Sequence, residues 1–229
     1  MSDKIDVPLD VPQGVDFPEY KDKHQLRRWI WRHIQIPYPM YVITTIDDDG
    51  VPNAEVNTWG LPFGFAPDQM FIFVCSKAHH TAQNVLRNKE FVVNIPGSNI
   101  GQRAEKTATP YPKGIDEIKE SGLTAIPSKV VKPPRIEECK AHLECKLEWY
   151  KPIDKKGEVI VFCGRVVAAS ADKEVLVGDI ESKIKKMKTI YVTPWNIDTI
   201  KMKLTGKEKG TTGYANIGDV RYTPQENDT

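Results

Sequence analysis

Tyr41-Val42-Ile43-Thr44-Thr45-Ile46, then Asp47-Asp48-Asp49-Gly50, then Val51-Pro52-Asn53-Ala54-Glu55-Val56-Asn57 is the stretch that decides the fold. The first six residues are β-branched or aromatic, the types that suit a pleated, half-buried surface. The acidic turn ends in a glycine able to take positive φ, and the chain returns as a partner strand, so a β-meander opens here. Working outward, Met70-Phe71-Ile72-Phe73-Val74-Cys75 is a nearly continuous apolar run of strand length, which predicts a strand buried on both faces. Ala82 to Asn88 reads as a short helix and Phe91 to Ile95 as the next strand. From Ala141 to Tyr150 the alternation puts Leu143, Cys145, Leu147 and Trp149 on one face; after the Lys155-Lys156-Gly157 turn, Glu158 to Ala169 pairs back antiparallel.

The flanks are less regular. Met1 to Tyr20, punctuated by Pro8, Pro12 and Pro18, reads as an extended arm. Lys21 to Ile36 reads as a short helix, or a helix leading into a strand, with Arg27, Arg28, Trp29, Trp31, Arg32 and His33. Tryptophans among basic residues can stack on bases, but no basic face accompanies them, and packing onto the domain is the better reading. Gly97 to Pro134 is a long polar loop with one helix expected around Ile115 to Ser121, and a loop of that length usually covers a site or a partner subunit. Beyond Ser170 the chain reads as basic and loop-rich. The expected organisation is an arm and short helix over 1–36, one β-rich domain over 37–200 and a basic tail over 201–229.

Composition narrows the partners. With Lys+Arg 32 against Asp+Glu 31 the net charge is +1, so there is no general attraction to nucleic acid or anionic membrane. No apolar run approaches the roughly 20 residues that span a bilayer, and the first residues carry no leader pattern, so a cytoplasmic protein is expected. Cys75, Cys139, Cys145 and Cys163 are scattered without a C-x-x-C pair, as expected of buried reduced thiols. Cys75 with His79 and His80 falls short of a zinc ligand set, and no metal is expected. None of the common nucleotide-loop, nucleophile-elbow or metalloprotease motifs occurs, and Gly206 to Gly213 reads as a flexible basic turn.

Two segments carry binding chemistry. A strand ending at Ser76-Lys77 before a helix opening near Thr81 offers a hydroxyl, an ammonium and free backbone N–H groups to a phosphate, with Thr81 as both cap and ligand. His79 and His80 lie in the connecting turn, and Asn84 lies one helical turn on. A plain N-cap beside surface histidines is the competing reading. Asn57-Thr58-Trp59-Gly60 follows a strand and can turn amides toward the polar edge of a flat heterocycle while Thr58 or Trp59 packs on its plane; a loop with a core tryptophan is the alternative. A flavin meets both requirements.

The ordered set Tyr38-Pro39, Val42 to Thr45, Gly50 to Asn57, Phe65 to Asp68, Lys77 to Asn84, Glu90 to Pro96, Gly114 to Glu117, Ser121 to Thr124, Val131 to Ile136, Leu143 to Cys145 and Gly164 to Val166 resembles the flavin reductase-like FMN-binding split-barrel family, nearest to its flavoredoxin-type members. The resemblance implies a mainly β fold with a few helices, a six-stranded antiparallel split β-barrel of Greek-key character, forming a homodimer with FMN near the subunit interface. It implies that Asn57, Thr58 and Trp59 border the ring system and that Ser76, Lys77, Thr81 and Asn84 approach the phosphate, with His80 beside them and with Asn94 and the loop after Pro96 completing the cover. Catalysis would rest on the flavin, with no catalytic side chain, in an FMN-dependent oxidoreductase carrying electrons from NAD(P)H or a protein donor to an acceptor. The alternative is a flavoredoxin-like electron-transfer protein with a redox partner protein and no nicotinamide site of its own. Gly157-Glu158-Val159-Ile160 fits that alternative at least as well, because many nicotinamide-using members carry a histidine there and Glu158 would repel a nicotinamide phosphate. A cofactor-free binding barrel is the third reading.

Overall fold

The opening hairpin forms with the expected residues: β1 is Tyr41–Ile46 and β2 is Pro52–Asn57, paired antiparallel with Thr44 opposite Ala54. Asp47 closes the turn by accepting the N–H groups of Asp49 and Val51 on Oδ1, and Gly50 takes φ 81. The computed structural model describes residues 36–192 and the backbone of Tyr214–Ala215. The arm, the basic aromatic segment up to residue 35, Gly206 to Gly213 and the tail lie outside the described residues. The chain divides into two units, Met1–Tyr38 with Val192–Ala215, and Pro39–Tyr191 with Asn216–Thr229. Residues 39–191 carry everything that follows.

Further strands are β3 (Gly60–Phe63), β4 (Met70–Ser76), β5 (Glu90–Ile95), a short pair β6 (Ala125–Ile126) and β7 (Arg135–Ile136), then β8 (Ala141–Pro152) and β9 (Val159–Ala171). Helices are α1 (His80–Asn88), α2 (Gly101–Lys106), α3 (Glu117–Glu120), α4 (Lys173–Leu176) and α5 (Ile180–Met187). One antiparallel sheet runs in the order β2-β1-β5-β8-β9-β4-β3. It has seven strands where six were expected, because Gly60–Phe63 adds an edge strand on β4. β4 and β5 follow each other in sequence but lie apart in the sheet, joined across α1, which gives the Greek-key character.

The sheet curls until its β2 edge meets β4, but no ladder of backbone bonds joins them. Instead Asn57 Nδ2 donates to Val74 O at 2.8 Å across the gap. The barrel is therefore split along a seam held by side chains.

Within the curl, Phe71, Phe73, Phe91 and Phe162 are fully buried with Ile43, Val93, Cys145 and, from α1, Ala82 and Val85. Phe73 stacks on Phe162 with centroids 5.1 Å apart and meets Phe91 edge-on. β4 is not buried on both faces: Phe71, Phe73 and Cys75 point inward while Ile72 and Val74 are only half-buried, because none of the described residues forms a further layer over the outside. Trp149 also departs from its expected face and stands 46% exposed. The pairing jumps from Cys163 opposite Trp149 to Gly164 opposite Leu147, so Glu148 is an extra residue and the bulge turns every later side chain over.

The long middle loop contains more than the one expected helix. α3 lies where it was expected, with the Asp116 side chain accepting from Lys119 N, but Ser98–Ile100, α2 and the β6–β7 pair add order. Residues 129–131 cover the outer face of β8, where buried Glu144 accepts the N–H groups of Lys129 and Val130 at 2.8 and 2.7 Å. After Ser170 the expected loop is replaced by α4 and α5, the latter capped by Asp179 accepting from Ser182 N at 2.8 Å.

Candidate functional site

α1 begins two residues earlier than the sequence suggests. His79 is the N-cap and makes no side-chain capping bond, so Thr81 lies in the first turn rather than at the cap. The leading N–H groups of the helix therefore have no side-chain acceptor, and they open on a pocket of about 310 Å³. Asn53, Glu55, His79, His80, Thr81 and Glu117 line it together with Thr107 to Tyr111 of the long loop. The loop thus walls a pocket, the role its length suggested.

Each side chain is fixed by its own element. Thr81 Oγ1 accepts from Asn53 Nδ2 at 2.9 Å, tying the helix start to β2 and leaving the hydroxyl hydrogen for another partner. His79 Nδ1 sits 2.5 Å from Glu55 Oε1, and this carboxylate holds the His79 imidazolium pKa above the ordinary value. Glu117 is 6% exposed and its Oε2 accepts from Ala54 N at 2.8 Å. Burial pushes its pKa up to about 7, with Glu55 and Asp116 adding repulsion against the Ala54 N–H and His79. His80 Nδ1 lies 4.0 Å from Glu117 Oε1.

Of the expected site residues, His80 and Thr81 line this pocket. Ser76 and Lys77 lie in the turn that leads to it: Ser76 Oγ accepts from Ala78 N, and Lys77 N donates to Glu158 O at 2.7 Å, leaving the lysine side chain exposed. Glu158 is thereby placed beside Lys77. Asn57 is buried and works as a clamp, its amide donating to Val74 O and its Oδ1 accepting from Trp59 N at 2.9 Å, which shapes the Thr58-Trp59 turn. Trp59 is 40% exposed at the strand end. Asn84 and Asn94 stand apart from the pocket. Asn84 donates to Thr45 Oγ1 and accepts from Arg87, and Asn94, fully buried, donates to Val42 O and Thr44 Oγ1 and accepts from Ile136 N. Asn53, Glu55 and Glu117 belong to the pocket although the sequence reading did not single them out. Asn53 and Glu55 read as hairpin residues within the family pattern, with no binding role of their own, and Glu117 reaches β2 across 63 positions of sequence.

The donor set suits a phosphate monoester: uncapped helix N–H groups, a threonine hydroxyl, two imidazoles and a nearby lysine. The carboxylates beside it are compensated, Glu55 by His79 and Glu117 by its raised pKa. No helix among the described residues is long and apolar enough to cross a membrane.

A protein of Aquifex aeolicus (strain VF5), itself of uncharacterised function, is 34% identical over 128 residues, which are 52% of this chain and 62% of that protein. The chain thus spans somewhat less than two thirds of that relative's length. Among solved structures, a Shewanella frigidimarina split-barrel protein described as a flavin reductase superposes with a TM-score of 0.73 at 15% identity, covering 90% of this chain and 95% of the other. A flavoredoxin from Methanosarcina acetivorans gives 0.67 at 19% identity over 99% and 97%. At these identities the likeness is one of fold. The family model described as a flavin reductase like domain matches residues 32–185, and the chain belongs to the flavin reductase-like family, with the split barrel as its fold.

Proposed function

We propose that this chain binds FMN with the phosphate at the start of α1 and acts as an oxidoreductase that moves electrons through the flavin between a donor and an acceptor. The observation that carries this reading is the uncapped N-terminus of α1 opening on a pocket that also holds Thr81, His80 and His79. When bound, the flavin supplies the hydride and electron chemistry. The chain's residues bind and orient. The Thr81 hydroxyl and the first N–H groups of α1 donate to the phosphate, and Lys77 and His80 supply charge and a further donor. Ser76 shapes the turn. Thr58 and Trp59, held by the Asn57 clamp, present the ring-side surface, while Asn84 and Asn94 act as positioning residues that fix α1 and β5 against β1.

Glu158 supports the second reading, an electron-transfer protein without a nicotinamide site. Glu158 is exposed and its carbonyl accepts from Lys77 N, so it adjoins the lysine assigned to the phosphate, where a negative charge would oppose a nicotinamide phosphate. Adding NADH or NADPH without oxygen to the FMN-loaded protein separates the two. Rapid bleaching of the flavin spectrum supports direct nicotinamide use, and an unchanged spectrum that bleaches only with a protein donor supports the carrier.

We assign a homodimer to the outer face of the sheet. In register across four strands, Leu61, Ile72, Cys163 and Trp149 stand in one row, and Leu61 and Trp149 are 49% and 46% exposed. Leu61 and Trp149, exposed apolar side chains flanking half-buried Ile72 and fully buried Cys163, are the kind of surface a second copy buries.

A further inference from the structure

Three side chains from three elements converge on the open seam of the barrel. Glu55 comes from β2, Cys75 from β4 and His79 from the N-cap of α1, and their ligating atoms all lie within 4.8 Å of one another. Glu55 is the hub: Oε1 is 2.5 Å from His79 Nδ1 and Oε2 accepts from Cys75 Sγ at 3.3 Å. Neither partner behaves as its position alone would suggest. Cys75 is 4% exposed on the core face of β4, where a thiol ordinarily packs as a small hydrophobe, yet its sulfur lies 3.3 Å from Glu55 Oε2, with Ser76 O at 3.5 Å as a second acceptor. His79 occupies a helix cap without capping, its ring turned to Glu55 instead.

We propose that Glu55, Cys75 and His79 form a site for a divalent cation of the zinc class, a staple across the seam between β2 and β4. A thiolate, an imidazole and a carboxylate are the donor mix that zinc and cobalt(II) accept, and three protein ligands leave a fourth position for water. With bonds of about 2.0–2.3 Å, neighbouring ligand atoms of a tetrahedral site stand roughly 3.2–3.6 Å apart. The sulfur–oxygen separation of 3.3 Å already meets that spacing. Glu55 offers Oε2 to the sulfur and Oε1 to His79, so a shared cation calls for a small turn of the carboxylate and an opening of the His79–Glu55 contact by under about 1 Å, rotamer-scale movements beside a His79 side chain that is 53% exposed. The sulfur ligand disfavours calcium and magnesium, which take oxygen.

Burial, and then the Glu55 charge, hold the Cys75 thiol above its ordinary pKa. The cation displaces that proton to solvent, and His79 must also be neutral at Nδ1, so affinity rises with pH by about tenfold per pH unit for each proton released. The site adjoins the flavin assignment and shares His79 and Glu55 with the pocket lining, while Lys77, His80 and Thr81 are not among its ligands, and it is tested without flavin.

The test is a cobalt(II) titration of the full-length, flavin-free chain, followed by zinc. The expected result is one cobalt per chain with a near-ultraviolet thiolate-to-cobalt band, displaced by zinc, absent in Cys75→Ser and retained in Cys139→Ser. Glu55→Gln and His79→Gln each weaken cobalt binding at least tenfold. Zinc raises the melting temperature of the wild type and not that of His79→Gln. Absence of the thiolate band in the wild type, or its persistence in Cys75→Ser, overturns the proposal. Should Cys75→Ser lose its fold by circular dichroism, undiminished cobalt affinity in both Glu55→Gln and His79→Gln overturns it equally.

Discussion

Replacing Glu117 by glutamine probes the pocket through the pH dependence of folding. The carboxyl is 6% exposed, accepts the Ala54 N–H at 2.8 Å and has its pKa raised from 4.5 to about 7, mainly by burial. A folded-state pKa above the unfolded value means that the native chain holds this proton more tightly. Its contribution to stability is complete below about pH 4.5 and is lost as pH rises through about 7. A displacement of this size corresponds to about 3 kcal/mol, an upper figure for a single group. Glutamine keeps an oxygen for Ala54 N–H but cannot ionise. Urea unfolding of both proteins at pH 5 and pH 8 should therefore show the variant gaining about 2–3 kcal/mol on the wild type across that interval. The same neutrality predicts that FMN affinity falls above pH 7 in the wild type and less in the variant. Parallel stability profiles across the interval would refute the burial argument, because they would mean that Glu117 ionises alike in both states.

Gly164→Ala places a Cβ 2.6 Å from Phe91 Cε1 and 3.0 Å from Cys145 Cβ in a core with no room to yield, so a loss of about 1–3 kcal/mol is expected, read as a fall in melting temperature of roughly 2–4 °C per kcal/mol. Leu61→Asp sets a charge in the outer apolar row and should shift the protein to monomer by light scattering while leaving the far-ultraviolet circular dichroism unchanged. Lys77→Ala should weaken FMN binding by about 1–3 kcal/mol in fluorescence titration without lowering stability, since only the lysine backbone is engaged, through Glu158 O.

The parts of the fold legible in the sequence are those set by local pattern. β1, its acidic turn and β2 are written in residue type alone, and α3 follows from an Asp116 that caps it. What the sequence hides is set by contacts far along the chain. Glu144 sits among alternating apolar residues and reads as an outward polar position, yet residues 129–131 fold over it and satisfy its carboxylate. The bulge at Glu148 turns Trp149 outward, and nothing in the alternation before it signals the extra residue. In the site, a helix following β4 with Thr81 near its start was legible from residue type and order, though not its cap, while Glu117 was not, because only the fold brings the long loop to β2. Asn84 and Asn94 show the converse: amides that suit a ligand equally suit the internal bonds they make. α5 is hidden in the sequence because its lysine-rich face obscures the periodicity, although Asp179 three residues before Ser182 is a capping pattern.

The central claim is that a flavin is anchored by its phosphate at the start of α1, and the most direct measurement is the affinity of the protein for FMN against riboflavin, in the wild type and in Thr81→Val. A phosphate held by the N–H groups of α1 and the Thr81 hydroxyl predicts FMN binding at least tenfold tighter than riboflavin, with the margin narrowed in the variant by loss of FMN affinity alone. Equal affinities for FMN and riboflavin in the wild type would contradict the account.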